Sequence, residues 1–372
     1  MSKKLSCSIP QITKSYDIEI GIGLLDSQAK YLATVGSKFA IITDDHVAPL
    51  YGEPLKQNLT SFGLQASLFS FPHGEQSKTR ATKEILENGL FGKKFGRDTC
   101  VIALGGGVVT DLAGYLAATF CRGIPFVSIP TSLLGMADAG IGGKTGVNVP
   151  FGKNLLGCVY QPKKVIIDIS TLKTLPRREY VNGTVEMIKH GIIADGHLFE
   201  KLENNCTQLL SLDPSLLEEV IFENCRIKKK IVEQDEKEVG IRHLLNFGHT
   251  VAHALERLTD YKLSHGEAVA IGIVVESYLS LKLGTLTQPA FDRIKAILLR
   301  YGLPFKLPSR FSVTTIQEAM RVDKKSLKGF PRFVMIDGIG SSLSCDSQYC
   351  SHVDESLLKD ALQWMIDDLC RY

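Results

Sequence analysis

The 372-residue sequence has no Cys-x-x-Cys pair, although it contains nine cysteines. An odd number of scattered cysteines argues against a disulfide framework and against a thiolate zinc site. It is typical of small apolar core residues in a reducing compartment. Any metal that this chain binds is therefore expected to have nitrogen and oxygen ligands.

Long hydrophobic runs and a strong charge imbalance are also missing. Runs such as 268–275 reach about half the length of a membrane span, and the N-terminal residues include no stretch of signal-peptide length. The net charge of +3 gives no electrostatic case for nucleic acid or a membrane surface. We therefore predict a cytoplasmic protein that binds neither, while local basic clusters can still serve an anionic small molecule.

The two halves of the chain have different patterns. Short apolar segments alternate with helical patterns in the first half, which predicts βαβ units and a mostly parallel sheet. The predicted strands are 39–43, 68–71, 101–104, 125–129 and 164–168, with one helix over 111–120. Amphipathic helical patterns dominate the second half, at 179–193, 215–233, 243–258, 266–283 and 288–301, before a short strand at 333–337 and a helix at 355–369. This α/β chain is predicted to divide near 173–176.

Three histidines are concentrated in the second half. His249 and His253 are four residues apart, so they share one face of the predicted helix, and His265 follows twelve residues later. With Arg242 and Asn246 just upstream, this set is poor material for a hydrophobic core. It suits a polar site that holds a divalent metal and an anionic substrate.

A carboxylate for such a site can come from Glu186, which precedes Lys189 by three residues in a helical pattern. Glu and Lys at this spacing also form ordinary surface ion pairs. The apolar neighbours of the pair favour a buried position instead. One Glu with two His is a catalytic zinc set that leaves a coordination position open.

Two glycine-rich segments are candidate anion sites. Residues 105–107 follow a predicted strand and open a helix, where glycine backbone and the helix N-terminus suit a phosphate. The spacing is not G-x-G-x-x-G, and a tight strand-to-helix turn would need the same glycines. Asp44, at another strand end, can accept a bond from a ribose or serve only in a turn.

The second segment, 138–154, contains several glycines together with Lys144 and Asn154, which could both hold a phosphate. It contains Gly-Gly-Lys-Thr but lacks the first glycine of a Walker A loop at the required spacing. We predict a loop here, and a flexible surface loop without a ligand is the alternative.

Several runs occur in an order and spacing far more specific than any single motif. They are Gly-Gly-Gly-Val-Val-Thr-Asp-Leu-Ala-Gly, Pro-Thr-Ser-Leu-Leu, Gly-Gly-Lys-Thr-Gly-Val-Asn, Gly-Lys-Asn-Leu-Leu-Gly, Lys-Thr-Leu-Pro, Glu-Met-Ile-Lys-His-Gly, Asp-Glu-Lys-Glu-Val-Gly-Ile-Arg, Leu-Asn-Phe-Gly-His-Thr and His-Gly-Glu-Ala-Val. Together they resemble the 3-dehydroquinate synthase family of the sugar-phosphate cyclase superfamily. The resemblance covers nearly the full chain, from Asp44 to the Asp-Lys-Lys segment at 323–325.

The resemblance implies a Rossmann-like NAD-binding domain over 1–174, a mainly helical metal- and substrate-binding domain over 175–372, an active site in the cleft between them, and a homodimer. It implies a phosphorus–oxygen lyase of the shikimate pathway, which serves aromatic amino acid biosynthesis. Such an enzyme cyclises 3-deoxy-D-arabino-heptulosonate 7-phosphate to 3-dehydroquinate and releases phosphate. The implied steps are transient oxidation by NAD+, phosphate elimination, reduction, ring opening and an intramolecular aldol reaction.

The resemblance also assigns residues. It implies that Zn²⁺ or Co²⁺ is held by Glu186, His249 and His265, so that His253 contacts substrate and not metal. The implied substrate-site residues are Asp138, Lys144, Asn154, Lys189, Lys228, Glu238, Arg242, Asn246, His253, Lys324 (preferred over Lys325) and Arg122, the last supplied across the dimer interface. The implied NAD-binding residues are Asp44, Glu75, Lys78, Gly106, Gly107, Val108, Asp111, Thr131, Ser132, Lys144, Lys153 and Thr174.

The chain departs from the family pattern near the implied NAD site. Thr110 stands where glycine is usual, Ser132 where a second threonine is common, and His46 where asparagine is frequent. Ala139-Gly140 replaces a usual pair of serines. None of these departures touches the implied metal set.

Other functions are also compatible with parts of this pattern. The 2-deoxy-scyllo-inosose and valiolone-forming cyclases share the metal, NAD and the early steps, but their substrates lack the carboxylate that Lys228 and Arg242 would clamp. A metal-dependent alcohol or glycerol dehydrogenase would not need so many anion-binding donors. A non-catalytic protein that binds NAD or metal would not need a complete metal set beside a cationic pocket.

Overall fold

A six-stranded parallel sheet forms the N-terminal half of the chain. The computed structural model describes residues 15–321, 331–344 and 349–372. The strands are β1 (Asp17–Gly21), β2 (Lys38–Asp44), β3 (Gln65–Phe71), β4 (Thr99–Gly105), β5 (Phe126–Pro130), β6 (Lys144–Val149), β7 (Gly152–Val159), β8 (Lys164–Asp168), β9 (Ile336–Gly338) and β10 (Ser341–Ser342). The parallel sheet has the order β1-β8-β5-β4-β2-β3, which confirms the predicted α/β class and all five strands predicted there.

Most of the remaining described residues lie in helices. They are α1 (Leu24–Ser27), α2 (Ala29–Val35), α3 (Glu53–Ser61), α4 (Arg80–Gly92), α5 (Gly107–Thr119), α6 (Arg177–Ala194), α7 (Gly196–Asn204), α8 (Cys206–Leu210), α9 (Pro214–Gln234), α10 (His249–Leu258), α11 (His265–Lys282), α12 (Gln288–Arg300), α13 (Val313–Arg321) and α14 (Glu355–Trp364). The mainly helical C-terminal half is thereby confirmed. Within the described ranges, no helix is both long enough and apolar enough to cross a membrane.

The predicted helix over 243–258 is wrong in its first half. Residues Ile241–Asn246 form a 3₁₀ turn, and α10 begins only at His249. Gly248 between them has φ of +80°, a left-handed conformation that glycine adopts without strain and that ends one helical path before the next begins.

The predicted loop over 138–154 is also wrong in part, because β6 and β7 form an antiparallel hairpin there. Gly146 and Gly157 face one another across the two strands, and a Cβ atom on Gly157 would lie 2.0 Å from the Thr145 carbonyl oxygen. The glycines in this segment therefore allow close strand approach. Here glycine serves strand packing and does not indicate a flexible loop.

The strand order places two loops at one crevice. The chain moves from β2 to β3 on one side of the sheet and from β4 through β5 to β8 on the other. The direction therefore reverses between β2 and β4, and in open parallel sheets ligands bind at the carboxyl ends of the strands beside such a reversal. Asp44 ends β2 and Gly105 ends β4.

The largest apolar core joins the sheet to the helical half. Val165 and Ile167 of β8 pack in the same buried cluster as apolar residues of α6, α9, α10 and α11. This shared core places the N-termini of α10 and α11 beside α6, and those N-termini carry two of the candidate ligands.

Candidate metal and substrate site

A buried carboxylate and two imidazoles meet where α6, α10 and α11 come together. Glu186 of α6 is fully buried, while His249 and His265 are the first residues of α10 and α11. Glu186 Oε1 lies 3.7 Å from His249 Nε2 and 3.5 Å from His265 Nε2. All three ligand atoms lie within 4.8 Å of one another, so a single ion can contact them after small side-chain movements.

The hydrogen bonds around these three residues suit a metal centre. His249 Nδ1 is 3.1 Å from the Phe247 carbonyl oxygen, so Nε2, which faces Glu186, is the nitrogen placed to act as a ligand. Glu186 Oε1 is buried without a hydrogen-bond partner in the part of the chain that the structure describes. A buried oxygen in this condition costs free energy unless something fills the site, and a cation between the imidazoles would satisfy it. The three side chains therefore fit Zn²⁺ or a similar ion.

Charged neighbours shift the pKa values of two of the candidate ligands. Burial opposes ionisation of Glu186, but Lys189, which donates to Oε2, and His265 together lower its pKa to about 2. Burial opposes protonation of His265, but Glu186 and Glu256 raise its pKa to about 9. Glu186 is therefore ionised, which is the form of a carboxylate that binds a metal ion.

His253 lies beside this set without completing it. Its ring centroid is 5.6 Å from that of His249, at nearly a right angle. The helix thus brings both histidines to one face, as their spacing predicts. The second imidazole that faces Glu186 together with His249 is, however, that of His265.

An ammonium–carboxylate pair lies beside Glu186, within 4.8 Å of its carboxylate. Lys228 Nζ is buried and lies 2.6 Å from Asp138 Oδ1, and it also donates to the Asp138 carbonyl oxygen. Burial lowers the pKa of Lys228, although Asp138 opposes this shift. Lys228 and Lys189 hold the pKa of Asp138 well below its usual range despite its burial. This pair joins α9 to the segment before the hairpin, and it offers a cation to an anionic ligand.

Lys144 and Glu238 form a second ammonium–carboxylate pair. Lys144 Nζ is 2.5 Å from Glu238 Oε2, and Asn246 Nδ2 donates to Glu238 Oε1 at 3.0 Å. Glu238 has φ of +60°, so its backbone is held in an uncommon conformation that turns the side chain toward Lys144 and Asn246.

Arg242 is almost completely buried, and its guanidinium contacts backbone oxygens. It donates to the Glu236 carbonyl at 2.6 Å and to the Gly142 carbonyl at 3.0 Å, while Nε has no partner among the described residues. A Cβ atom on Gly142 would lie 2.7 Å from the guanidinium, so glycine is required for this approach. One unsatisfied N–H is therefore available to an anion.

The carboxyl edge of the sheet brings the predicted nucleotide-binding residues together. Gly106 and Gly107 form the N-terminus of α5, and a Cβ atom on Gly106 would lie 3.3 Å from Ser132 Oγ. The Thr131 amide donates to the Gly105 carbonyl at 3.0 Å, which ties the loop after β5 to the glycine turn that also contains Val108. Such a turn leaves backbone amides exposed to a phosphate.

Polar side chains continue this edge toward the hairpin. Buried Lys78 donates to Asp111 and, at 2.5 Å, to Asn154 Oδ1. Glu75 Oε1 accepts from Asn148 of the hairpin at 2.8 Å. The residues after β3, the start of α5 and the hairpin therefore form one continuous polar wall.

This geometry can be compared with known proteins. Residues 68–182 match the 3-dehydroquinate synthase N-terminal family, and residues 183–326 match the 3-dehydroquinate synthase C-terminal family. The 3-dehydroquinate synthase of Pelobacter propionicus is 44% identical over 329 residues, which are 88% of this chain and 91% of that protein. The chain belongs to the 3-dehydroquinate synthase family. The family prediction from the sequence runs is confirmed.

Solved structures of cyclases have the same fold. The 2-epi-5-epi-valiolone synthase ValA from Streptomyces hygroscopicus, with NAD+ and Zn²⁺ bound, is 29% identical with a TM-score of 0.87, covering 96% of this chain and 99% of that one. A 2-deoxy-scyllo-inosose synthase complexed with carbaglucose-6-phosphate, NAD+ and Co²⁺ is 23% identical with a TM-score of 0.86, covering 94% and 96%. These likenesses agree with the predicted Rossmann-like domain followed by a helical domain.

For this member of the 3-dehydroquinate synthase family, some predicted residues do not lie among the site contacts described above. Arg122 is exposed, with φ of +67°, in the tight turn after α5. Thr174 Oγ1 bonds the Tyr51 hydroxyl at 2.7 Å. Lys324 and its neighbour Lys325 lie outside the described residues.

Sequence reasoning missed Glu256, a buried carboxylate that touches the metal set and the hairpin. Its Oε1 is 3.4 Å from His265 Nδ1 and 3.1 Å from Lys153 Nζ. Glu256 follows His249 and His253 at helical spacing, so the same periodic pattern that grouped the histidines could have found it.

Replacing Glu256 by glutamine should weaken metal binding about 10- to 100-fold, the usual cost of losing a carboxylate behind a metal-bound histidine. The amide keeps the shape of the side chain but loses the charge that orients the His265 imidazole. Zinc affinity, measured by competition with a chelator, checks this expectation. Glu318→Gln, at an exposed position of α13, is the matched control. Equal affinity in both variants would show that Glu256 does not position His265.

Proposed function

We propose that this chain is a 3-dehydroquinate synthase, a phosphorus–oxygen lyase that converts 3-deoxy-D-arabino-heptulosonate 7-phosphate to 3-dehydroquinate and phosphate. In the shikimate pathway this reaction serves aromatic amino acid biosynthesis. Family membership supports the reaction. The observation that carries the proposal is the buried set of Glu186, His249 and His265, with an unsatisfied carboxylate oxygen facing two imidazoles beside a cationic pocket.

We assign the metal to Glu186, His249 and His265, where Zn²⁺ or Co²⁺ would supply Lewis-acid polarisation of the substrate hydroxyls. We assign NAD+ to the carboxyl edge of β2 and β4, where it would accept and later return a hydride. Its binding residues in this proposal are Asp44, Glu75, Lys78, Gly106, Gly107, Val108, Asp111, Thr131, Ser132, Lys144, Lys153 and Thr174. The ValA structure, which holds both groups on this fold, supports the assignment.

We assign the two anionic groups of the substrate to different side chains. Lys228 and Arg242 would hold the carboxylate, and Lys144, Asn154 and His253 the phosphate, together with Lys324 outside the described residues. Lys144 and Lys228 are each paired with a carboxylate within 2.6 Å, so both charges are already oriented when no substrate is bound. Such preorganisation reduces the cost of positioning the substrate. Lys189, Glu238 and Asn246 would keep these groups in place.

We divide the chain into a nucleotide-binding domain over 1–174 and a metal- and substrate-binding domain over 175–372. The active site would lie in the cleft between them. Pocket residues from both sides support this division, since Asp138 precedes the boundary and Lys228 follows it.

We also propose that the protein is a cytoplasmic homodimer. Six cysteines in the described ranges are free thiols, which suits a reducing compartment: Cys100, Cys121, Cys158, Cys206, Cys225 and Cys370. Arg122 is exposed in a turn with a left-handed backbone, so its guanidinium is accessible to a second subunit.

Mixed dimers test the role of Arg122. If it acts across the interface, Arg122→Ala and His265→Ala homodimers are both inactive, but random mixing should restore about a quarter of the wild-type sites. Each heterodimer then has one site with an intact metal set and the partner's arginine. Phosphate release after subunit exchange is the measurement. If mixing restores no activity while exchange is verified by mass spectrometry, Arg122 does not act in trans.

The direct test of the proposed function is an assay of the purified, metal-loaded protein with heptulosonate 7-phosphate and a small amount of NAD+. We expect phosphate release over many turnovers per NAD+, with no net NADH. Net NADH accumulation would indicate a dehydrogenase instead. Absence of phosphate release from both heptulosonate and heptulose phosphates would favour a non-catalytic protein.

A further inference from the structure

Three groups of side chains in the described ranges could hold a metal ion. The first is Glu186, His249 and His265, the site already described. The second, Asp138, Glu186 and His190, shares Glu186 with it and already contacts the ammonium groups of Lys228 and Lys189. The third is Asp45, His46 and His73, which shares no residue with the other two.

The third group is assembled by two neighbouring strands. Asp45 and His46 follow β2 directly, and His73 follows β3, which pairs with β2 in parallel register up to Asp44 and Phe71. The Asp45 amide donates to the Phe71 carbonyl at 2.9 Å, and the His73 amide donates to Asp45 Oδ1 at 2.8 Å. The backbone therefore fixes the positions from which all three side chains project.

The side chains are already in contact. His73 Nδ1 is 2.9 Å from Asp45 Oδ1, and the rings of His46 and His73 stack with centroids 3.5 Å apart at 21°. One ligand atom from each residue lies within 4.8 Å of the others. Ligands of a tetrahedral ion with bonds of about 2.0 Å lie about 3.3 Å apart, so small rotations of exposed side chains suffice.

We propose that Asp45, His46 and His73 form a second metal site, selective for a borderline transition ion such as Ni²⁺, Cu²⁺ or Zn²⁺. Two imidazoles and one carboxylate suit these ions, whereas Mg²⁺ and Ca²⁺ prefer oxygen ligands alone. All three residues are exposed, so water would complete the coordination. The site lies at the carboxyl edge of β2, beside the residues that we assign to NAD+, and shares no residue with that set.

Calorimetric titration of the zinc-loaded protein with Ni²⁺ tests this site, without NAD+ and without a polyhistidine tag. We expect one Ni²⁺ per wild-type chain beyond the resident zinc, whose retention is checked by elemental analysis. His46→Asn and His73→Asn should each abolish this binding. His197→Asn, at an exposed histidine of α7, should leave it unchanged.

A His265→Ala chain separates this proposal from the proposed function, because it loses the first metal site and should still bind Ni²⁺ at the second. No Ni²⁺ binding by the wild-type chain, or equal binding by the wild type and both histidine variants, would overturn the proposal. Neither outcome bears on turnover.

Discussion

His265→Ala should lose its metal ion and release phosphate at least about a thousandfold more slowly than the wild type, because a catalytic ion contributes several kcal/mol to such a reaction. His265 Nε2 faces Glu186 Oε1 at 3.5 Å, and without it only Glu186 and His249 remain as ligands. NAD+ binding should persist, since His265 is not among the residues that we assign to NAD+. Metal content, phosphate release and NAD+ affinity, measured on one preparation, check all three expectations.

His253→Ala is the matched control, because it removes the neighbouring imidazole on the same helix. It should keep the metal and lose turnover through weaker substrate binding. If His265→Ala kept a full complement of metal and normal phosphate release, the assignment of this ligand set would be wrong. Loss of metal from His253→Ala but not from His265→Ala would show that His249 and His253 are the two histidine ligands.

Gly272→Ala should lower the free energy of unfolding by about 3 kcal/mol or more, a large value for overpacking. Gly272 lies in α11 against the start of α10, where a Cβ atom would lie 1.9 Å from the Gly248 carbonyl oxygen. The two helices would have to separate at a backbone contact that no side-chain rotation can relieve. Since His249 follows Gly248 directly, metal affinity should fall with stability.

Denaturant unfolding of the metal-free chain measures the first effect, and metal titration measures the second. Gly92→Ala is the control, because its Cβ atom would meet nothing within 4 Å at the end of α4. It should change stability by no more than about 1 kcal/mol. A Gly272→Ala chain as stable as the wild type would show that the close approach of α10 and α11 is not required.

The elements that sequence patterns predicted best are those whose burial follows a regular pattern along the chain. Strand β4 is buried at every position, and α9 has an amphipathic pattern with clear ends, so local sequence defines both. The edge strand β1 was missed because it is short and only partly buried. Gly248 was read as part of a helix because its conformation depends on Gly272, which contacts it from another helix.

The candidate site likewise combines features that local sequence predicts with features that depend on tertiary contacts. Spacing alone grouped His249 with His253, whereas the fold brings His265 opposite Glu186. That pairing requires α6, α10 and α11 to meet at their shared core, which no local pattern encodes. Resemblance to a family could identify the three ligands, because members of a family share a fold and therefore the same side-chain pairings. Glu256 was assigned by neither route, although it contacts His265 directly.

The most direct test of the central claim compares two substrates with the same metal-loaded protein. We predict that 3-deoxy-D-arabino-heptulosonate 7-phosphate yields phosphate and 3-dehydroquinate in equal amounts, while a heptulose 7-phosphate without the carboxylate is turned over far more slowly. Lys228 and Arg242 provide the reason, since we assign both to the carboxylate group, which only the first substrate has. Faster phosphate release from the substrate without a carboxylate would contradict the account and identify a different cyclase.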